Sequence, residues 1–146
     1  EVPDYAIRTS DRRLAGYQRA LRAAGITLAP EYVMKGRHGR EQARLHGHQL
    51  LELAEPPTAI FAHSDNQAMG VLKALRERGL SAPRDLAVVG FDDIDVADYL
   101  GLTTVRQPLE ESGRIAVELL LARLADRTRP TQRVTLPLTL VQRETA

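Results

Sequence analysis

The stretch VVGFDDI, residues 88–94, decides the fold, because an apolar run of β-forming residues stops there at two adjacent carboxylates, Asp92 and Asp93. A continuous apolar run of this length is typical of a strand buried on both faces of a sheet. A second run, TAIFA at 58–62, comes earlier and is followed at once by HSDN at 63–66. Two buried strands thus end in polar side chains, and the question is what those side chains hold.

The segment between the two strands predicts how they are connected. Ala68, Val71, Leu72 and Leu75 repeat at helix spacing, and Gly79 ends the segment. Strand, helix and strand in this order predict a βαβ crossover and therefore a parallel sheet. Because continuous apolar strands are covered on both sides, the fold class is α/β, a three-layer parallel sheet with helices on both faces.

The rest of the chain predicts further elements of the same α/β fold. Three more helices are predicted: one from Ser10 as N-cap to the glycine at Gly25, one over about 39–53, and one over about 108–125. A short strand is predicted over 32–35. The tail at 133–143 alternates with period two, and Pro137 within it predicts an edge strand or a bulge.

Composition excludes several classes of protein. The 146 residues include 20 basic and 19 acidic residues, so no basic block for coating phosphates is present in this chain. The absence of cysteine excludes disulfides and thiolate metal sites. No apolar run reaches the roughly 20 residues of a membrane helix, so no membrane partner is expected. The sequence does not begin with Met, and we expect it to be part of a longer protein.

The polar residues after the two strands form a candidate site. Ligands of open parallel sheets bind beyond the carboxyl ends of the strands, so Ser64, Asp65, Asp92 and Asp93 are expected at one edge. An ionised carboxylate accepts paired O–H or N–H donors, such as sugar hydroxyls or the amide edge of a base. Asp92, the first polar residue after its strand, is the residue we expect to bind a ligand.

A purely structural interpretation of these residues stays open. Asp65 and Asn66 precede a helix and are suitable N-caps, and Asp93 or Asp95 has the same option before the next turn. Metal binding is not expected, because His46 and His48 are two residues apart and face different directions on a helix. No nucleophile elbow or phosphate loop accompanies the two acids, so an enzyme is not expected.

Several segments in fixed order resemble the LacI/GalR family of bacterial transcriptional regulators. They are PTAIFAHSDNQAMGVLKALRERGL at 57–80, APRDLAVVGFDDI at 82–94, LTTVRQPLEESGRIAVELLLARL at 102–124 and LPLTLVQRET at 136–145. The resemblance is to the effector-binding domain, and it implies a periplasmic-binding-protein type I-like fold with one lobe largely missing from this chain. It also implies that 1–146 is a partial sensor domain, that 103–127 crosses to the missing N-terminal lobe, and that a DNA-binding head lies elsewhere.

The resemblance implies which residues bind the effector. Arg13 matches an arginine that contacts it, although the residues alone also allow a surface ion pair with Asp4 or Asp11. Gln107 matches a glutamine at the lobe crossover, Ser64 stands where many relatives carry Asn, and His38 replaces an aromatic of the pocket wall. The implied effector-binding set is Arg13, His38, Ser64, Asp65, Asp92 and Gln107. A homodimer is implied too, with Met69 and Leu72 as a candidate surface.

The function implied is that of a ligand sensor in a cytoplasmic repressor of carbohydrate-related genes. A sugar, sugar phosphate or purine changes lobe closure and thereby the affinity for operator DNA, without any cofactor. A periplasmic sugar-binding protein of an ABC transporter is the alternative, with the same fold and pocket. Within this chain, the helix after Pro108 is expected to expose an apolar face that packs out of place, pairs with another copy, or belongs with a longer parent protein.

Overall fold

The computed structural model describes the backbone of residues 4–146 and the side chains of residues 9–146. The helices are α1 (Asp4–Ala23), α2 (Arg40–Leu51), α3 (Asp65–Glu77), α4 (Asp95–Tyr99) and α5 (Leu109–Ala125), with a 3-10 turn at Pro30–Tyr32. The strands are β1 (Ala59–Phe61), β2 (Ala87–Asp92), β3 (Thr103–Arg106) and β4 (Thr139–Val141). Strands and helices thus alternate from β1 onward, as the α/β fold requires.

The four strands form one mixed sheet in the order β1-β2-β3-β4. β1, β2 and β3 are parallel, with Ile60 opposite Val88 and Asp92 opposite Arg106. β4 runs antiparallel to β3 and occupies the edge, as the tail with Pro137 predicted. The parallel sheet is therefore confirmed for its first three strands, and the fourth makes the sheet mixed.

Helices cover both faces of the sheet. On one face, side chains of β2 and α3 form a core with almost no exposed area, in which Val88 packs among Val71, Leu75 and Leu102. On the other face, Tyr17 of α1 stacks on Phe61, which meets Phe91 edge to face at 6.5 Å between ring centroids. Because side chains alternate along a strand, β2 serves both layers at once.

The helices α2 and α3 cross in close contact. A Cβ added at Gly70 would lie 2.2 Å from the carbonyl oxygen of Arg40, so only glycine allows this approach. Polar contacts reinforce the crossing at its rim, where Glu77 forms an ion pair with Arg44 at 2.9 Å and a hydrogen bond with His48 at 2.7 Å. The close approach and the rim contacts together hold α2 against α3.

Several predicted boundaries were wrong. α1 begins at Asp4, so Ser10 lies inside the helix and is not its N-cap. Residues 32–35 do not form a strand: a 3-10 turn at Pro30–Tyr32 includes residue 32, and residues 33–35 are irregular. Gly25 ends the first helix with φ 73°, as predicted. Within the range 103–127, expected to cross to another lobe, β3 belongs to this sheet and pairs with β2.

Every residue of α5 is described, and every one is exposed or only half-buried. Its exposed large apolar side chains are Leu109, Val117, Leu120, Leu121 and Leu124. This is the apolar face that the sequence predicted. Among the described residues, no helix is both long enough and apolar enough to span a membrane.

Candidate functional site

The carboxyl edge of the sheet brings together three of the predicted site residues. Gln107, just after β3, donates a hydrogen bond from Nε2 to Asp92 Oδ1 at 2.6 Å. Arg13 of α1 lies with its guanidinium carbon 3.7 Å from the centroid of the Phe91 ring and interacts electrostatically with Asp92. An acceptor, an amide and a cation from three separate elements therefore meet at the end of β2.

Burial shifts the pKa values of the two ionisable residues in this cluster, Asp92 and Arg13. Burial raises the pKa of Asp92, while the Gln107 hydrogen bond and the Arg13 charge lower it and Asp65 raises it. Burial also lowers the pKa of Arg13, against the attraction of Asp92. Both charged groups are thus partly removed from water, which strengthens the attraction between them and the hydrogen bond from Gln107 to Asp92.

His63 joins the cluster through its backbone. Arg13 Nη1 donates to the carbonyl oxygen of His63 at 2.5 Å, which fixes the arginine at the strand end. The pKa of the His63 ring is lowered, first by burial and then by the charges of Arg13 and His38. His63 is therefore a half-buried ring at the edge of the site whose uncharged form is favoured.

Ser64 and Asp65 form hydrogen bonds within the protein next to the site. Ser64 is the N-cap of α3 and accepts a hydrogen bond from the Gln67 backbone N–H at 3.2 Å. Asp65 has no exposed surface; it accepts from Thr104 Oγ1 at 2.5 Å and from the Ile94 N–H at 2.9 Å. The expectation that Asp65 contacts an effector is therefore corrected: both of its oxygens are bonded inside the protein.

His38 lies apart from Asp92, on the wall of a cavity of about 590 Å³. The cavity lies between α1, the segment at 32–38, α2 and the end of β1, and Tyr17, Phe61 and His63 also line it. Arg13, Asp92 and Gln107 are outside its lining, and Arg13 is joined to it by the hydrogen bond to the His63 carbonyl oxygen. The six predicted residues thus divide into a cluster of three, two structural residues and one cavity residue.

Asp93 has a role that the sequence did not predict. Its carboxylate accepts from Arg106 Nε at 2.6 Å and from Arg143 Nη1 at 2.8 Å, so the expected capping role is wrong. Burial raises the pKa of Asp93, but these hydrogen bonds and charges more than offset it, and the net pKa is lowered. The partners lie 13 and 50 residues away, and no local pattern indicates them.

Asp95 does not cap its helix either: the N-cap of α4 is Ile94, which makes no side-chain capping hydrogen bond. Among the described residues, no group of three or more potential ligands is placed to hold a metal ion.

Comparisons with known proteins agree on one family. Residues 2–146 match the family described as periplasmic binding protein-like domain. The chain is 45% identical over 111 residues to the HTH-type transcriptional repressor CytR of Escherichia coli (strain K12), covering 75% of this chain and 33% of the relative. It is 38% identical over 137 residues to the Ribose operon repressor of Haemophilus influenzae, covering 92% and 41%.

Solved structures give the same result. A LacI-family regulatory protein from Chloroflexus aggregans superimposes with a TM-score of 0.85 at 36% identity, covering 91% of this chain and 49% of that one. A LacI-family transcriptional regulator from Enterococcus faecium with bound ribose gives 0.84 at 29% identity, covering 91% and 50%. The chain thus spans less than half of the curated relatives and about half of the solved chains. It belongs to the periplasmic binding protein-like domain family, and the members that it resembles are regulators of the LacI family.

Proposed function

We propose that this chain is part of the ligand-binding sensor domain of a LacI-type transcriptional regulator, a cytoplasmic repressor of carbohydrate-related genes. The observation that carries the proposal is the cluster of Arg13, Asp92 and Gln107 at the carboxyl edge of the sheet. The effector is a sugar, a sugar phosphate or a purine. The bound ribose of the similar Enterococcus faecium regulator supports a ligand with several hydroxyl groups.

The cluster is suited to such a ligand by its chemistry. Asp92 accepts from hydroxyl or amide protons, while Arg13 and Gln107 donate to ring or phosphate oxygens. Hydrogen bonds to charged groups contribute about 1.5–3 kcal/mol each. Closure of a second lobe over this edge completes the pocket and links occupancy to the affinity for operator DNA, a coupling typically worth about 1–3 kcal/mol.

The remaining parts of the proposal concern the whole regulator. Within the segment 103–127 the chain crosses to a second lobe after β3, and a separate head binds the operator. The protein is a homodimer, with Met69 and Leu72 as candidate contacts; both are half-buried within this chain, and Leu72 packs against its core. Asp92 has no catalytic role, and the repressors among the relatives favour a regulator over a periplasmic sugar-binding protein.

The test is thermal unfolding of the intact protein with ribose, cellobiose, ribose 5-phosphate or adenine, in the wild type and in Asp92→Ala. A ligand at 100 times its Kd adds about 2.7 kcal/mol to the free energy of unfolding, which raises Tm by several degrees. We expect one compound to raise the Tm of the wild type and to leave Asp92→Ala unchanged.

Asp95→Ala is the matched control, because Asp95 is an exposed acid only three residues further on. It is expected to respond to the compound like the wild type. A panel in which no compound raises Tm, or a shift that persists in Asp92→Ala, contradicts the proposed sensor site.

A further inference from the structure

The loop after β2 has an unusual backbone. Asp92 has φ 121° and Asp93 has φ 56°, both in the positive region that side chains other than glycine rarely adopt. Two such residues in succession persist only where the surrounding structure imposes them. Something outside the loop must therefore hold this conformation.

Two arginines hold Asp93 from opposite sides. Arg106, at the end of β3, donates to Oδ2, and Arg143, just after β4, donates to Oδ1. The Asp93 side chain is only 7% exposed and the Arg143 side chain only 15%, so water competes little for the bond between them, whereas the Arg106 side chain is 56% exposed. Arg143 is itself fixed, because the same Nη1 donates to the Leu102 carbonyl oxygen at 2.9 Å. We name Asp93, Arg106 and Arg143 the arginine clamp.

The arginine clamp and the ligand-binding cluster are adjacent along both strands. Asp92 and Asp93 are consecutive, and so are their partners Gln107 and Arg106. The two carboxylates therefore point to different sides of the same turn, one toward Gln107 and Arg13 and the other into the clamp. A change in the position of Asp93 has to move the backbone that carries Asp92.

We propose that Asp93 is a positioning residue, which the arginine clamp uses to hold the Asp92 carboxylate toward Gln107 and Arg13 for ligand binding. The ligand-binding part of this inference rests on the proposed function. The clamp also joins this turn to the ends of β3 and β4, so the position of Asp92 depends on both of these segments.

The test uses the intact protein with Arg106→Lys and Arg143→Lys combined. Lysine keeps both positive charges but has a single nitrogen, so it cannot reproduce the bonds that Arg143 makes from Nη1 to Asp93 and the Leu102 carbonyl and from Nε to Asp98. The double variant therefore keeps the positive charges near Asp93 but loses the hydrogen-bond geometry of the arginine clamp. Arg84→Lys is the control, since it makes the same change in the exposed pair between Arg84 and Asp85, at 2.9 Å.

The readouts need no ligand. We expect NMR titration of the Asp92 carboxyl carbon to give a lower pKa in the double variant, because the released side chain regains water. The side-chain amide signals of Gln107 are expected to shift as the hydrogen bond to Asp92 is lost. The control is expected to match the wild type in both signals.

An Asp92 titration and a Gln107 signal identical to the wild type in the folded double variant would overturn the proposal, even if Tm falls. A compound that stabilises the wild type is expected to bind the double variant at least about tenfold more weakly. If no panel compound binds the wild type, the proposed function fails, and the titration still decides whether the clamp positions Asp92.

Discussion

Asp92 and Asp93 are neighbours with opposite electrostatic environments. Burial raises the pKa of Asp92, whereas the arginine clamp lowers the pKa of Asp93 despite its burial. When the pKa of a carboxyl group is raised by folding, its ionised form is less favourable in the folded protein than in the unfolded chain. When the pKa is lowered, the ionised form is more favourable in the folded protein. The site residue therefore lowers the stability of the unliganded fold at neutral pH, and its neighbour raises it.

The unliganded Asp92→Asn variant is expected to be at least as stable as the wild type at pH 7. Between the ordinary value of 3.8 and the raised folded value, the folded wild type binds more protons than the unfolded chain, so its stability falls as pH rises through that window. Asparagine removes this loss and keeps an acceptor for Gln107. Tm measured from pH 4 to pH 8 checks it, and a variant that loses Tm steadily toward high pH contradicts it.

Asp93→Asn is expected to behave in the opposite way. The lowered pKa of Asp93 gives stability that is present above its unfolded value and is lost as pH falls through its folded value. The variant is therefore less stable than the wild type at pH 7, and the difference narrows under acidic conditions. Urea unfolding at pH 7 and pH 3 measures it; an equal deficit at both pH values would mean that shape, not charge, causes the loss.

Among the helices, the crossing of α2 and α3 depends on glycine. Gly70→Ala would bring a Cβ to 2.2 Å from the Arg40 carbonyl oxygen and 2.9 Å from the Arg44 nitrogen, both backbone atoms. We expect a loss of about 1–3 kcal/mol in the free energy of unfolding, as for other overpacked sites. Gly16→Ala in α1 is the control, since nothing lies within 4 Å of its added Cβ, and a gain of about 0.5–1 kcal/mol is expected. The free energy of unfolding of both variants is measured with a chemical denaturant. Equal changes in Gly70→Ala and Gly16→Ala would refute this account of the crossing.

The elements that show a local spacing of apolar residues could be predicted from the sequence. The elements that depend on pairing with distant segments could not. The helix over Asp65–Glu77 and the strand at Ala87–Asp92 follow from local spacing of apolar residues. β3 has only four residues, and its place beside β2 depends on partners that spacing does not indicate. For the same reason the sequence indicated Asp92 but neither the arginine clamp nor the buried bonds of Asp65.

At the scale of the molecule, the helix α5 presents a large exposed apolar face in the part of the chain that the structure describes. A contiguous apolar patch of this kind marks a contact with another part of a protein or another copy. Replacing Leu120 and Leu124 together by Ser is expected to reduce the self-association of the 146-residue chain, measured by light scattering. Leu45→Ser, at a single exposed leucine of α2, is expected to change nothing. An unchanged scattering signal in the double variant would exclude this face as the cause of association.

The buried side chain of Thr145 has a consequence for synthesis of the protein. Its hydroxyl donates to the Val88 carbonyl oxygen at 2.7 Å and accepts from the Thr103 N–H at 2.9 Å, so it joins β2 to β3. Thr145 follows Val88 by 57 residues, and at about 5–20 residues per second the ribosome adds it roughly 3–11 s later. During those seconds the nascent sheet lacks this junction, so β2 and β3 gain it only after the chain has been made as far as residue 145.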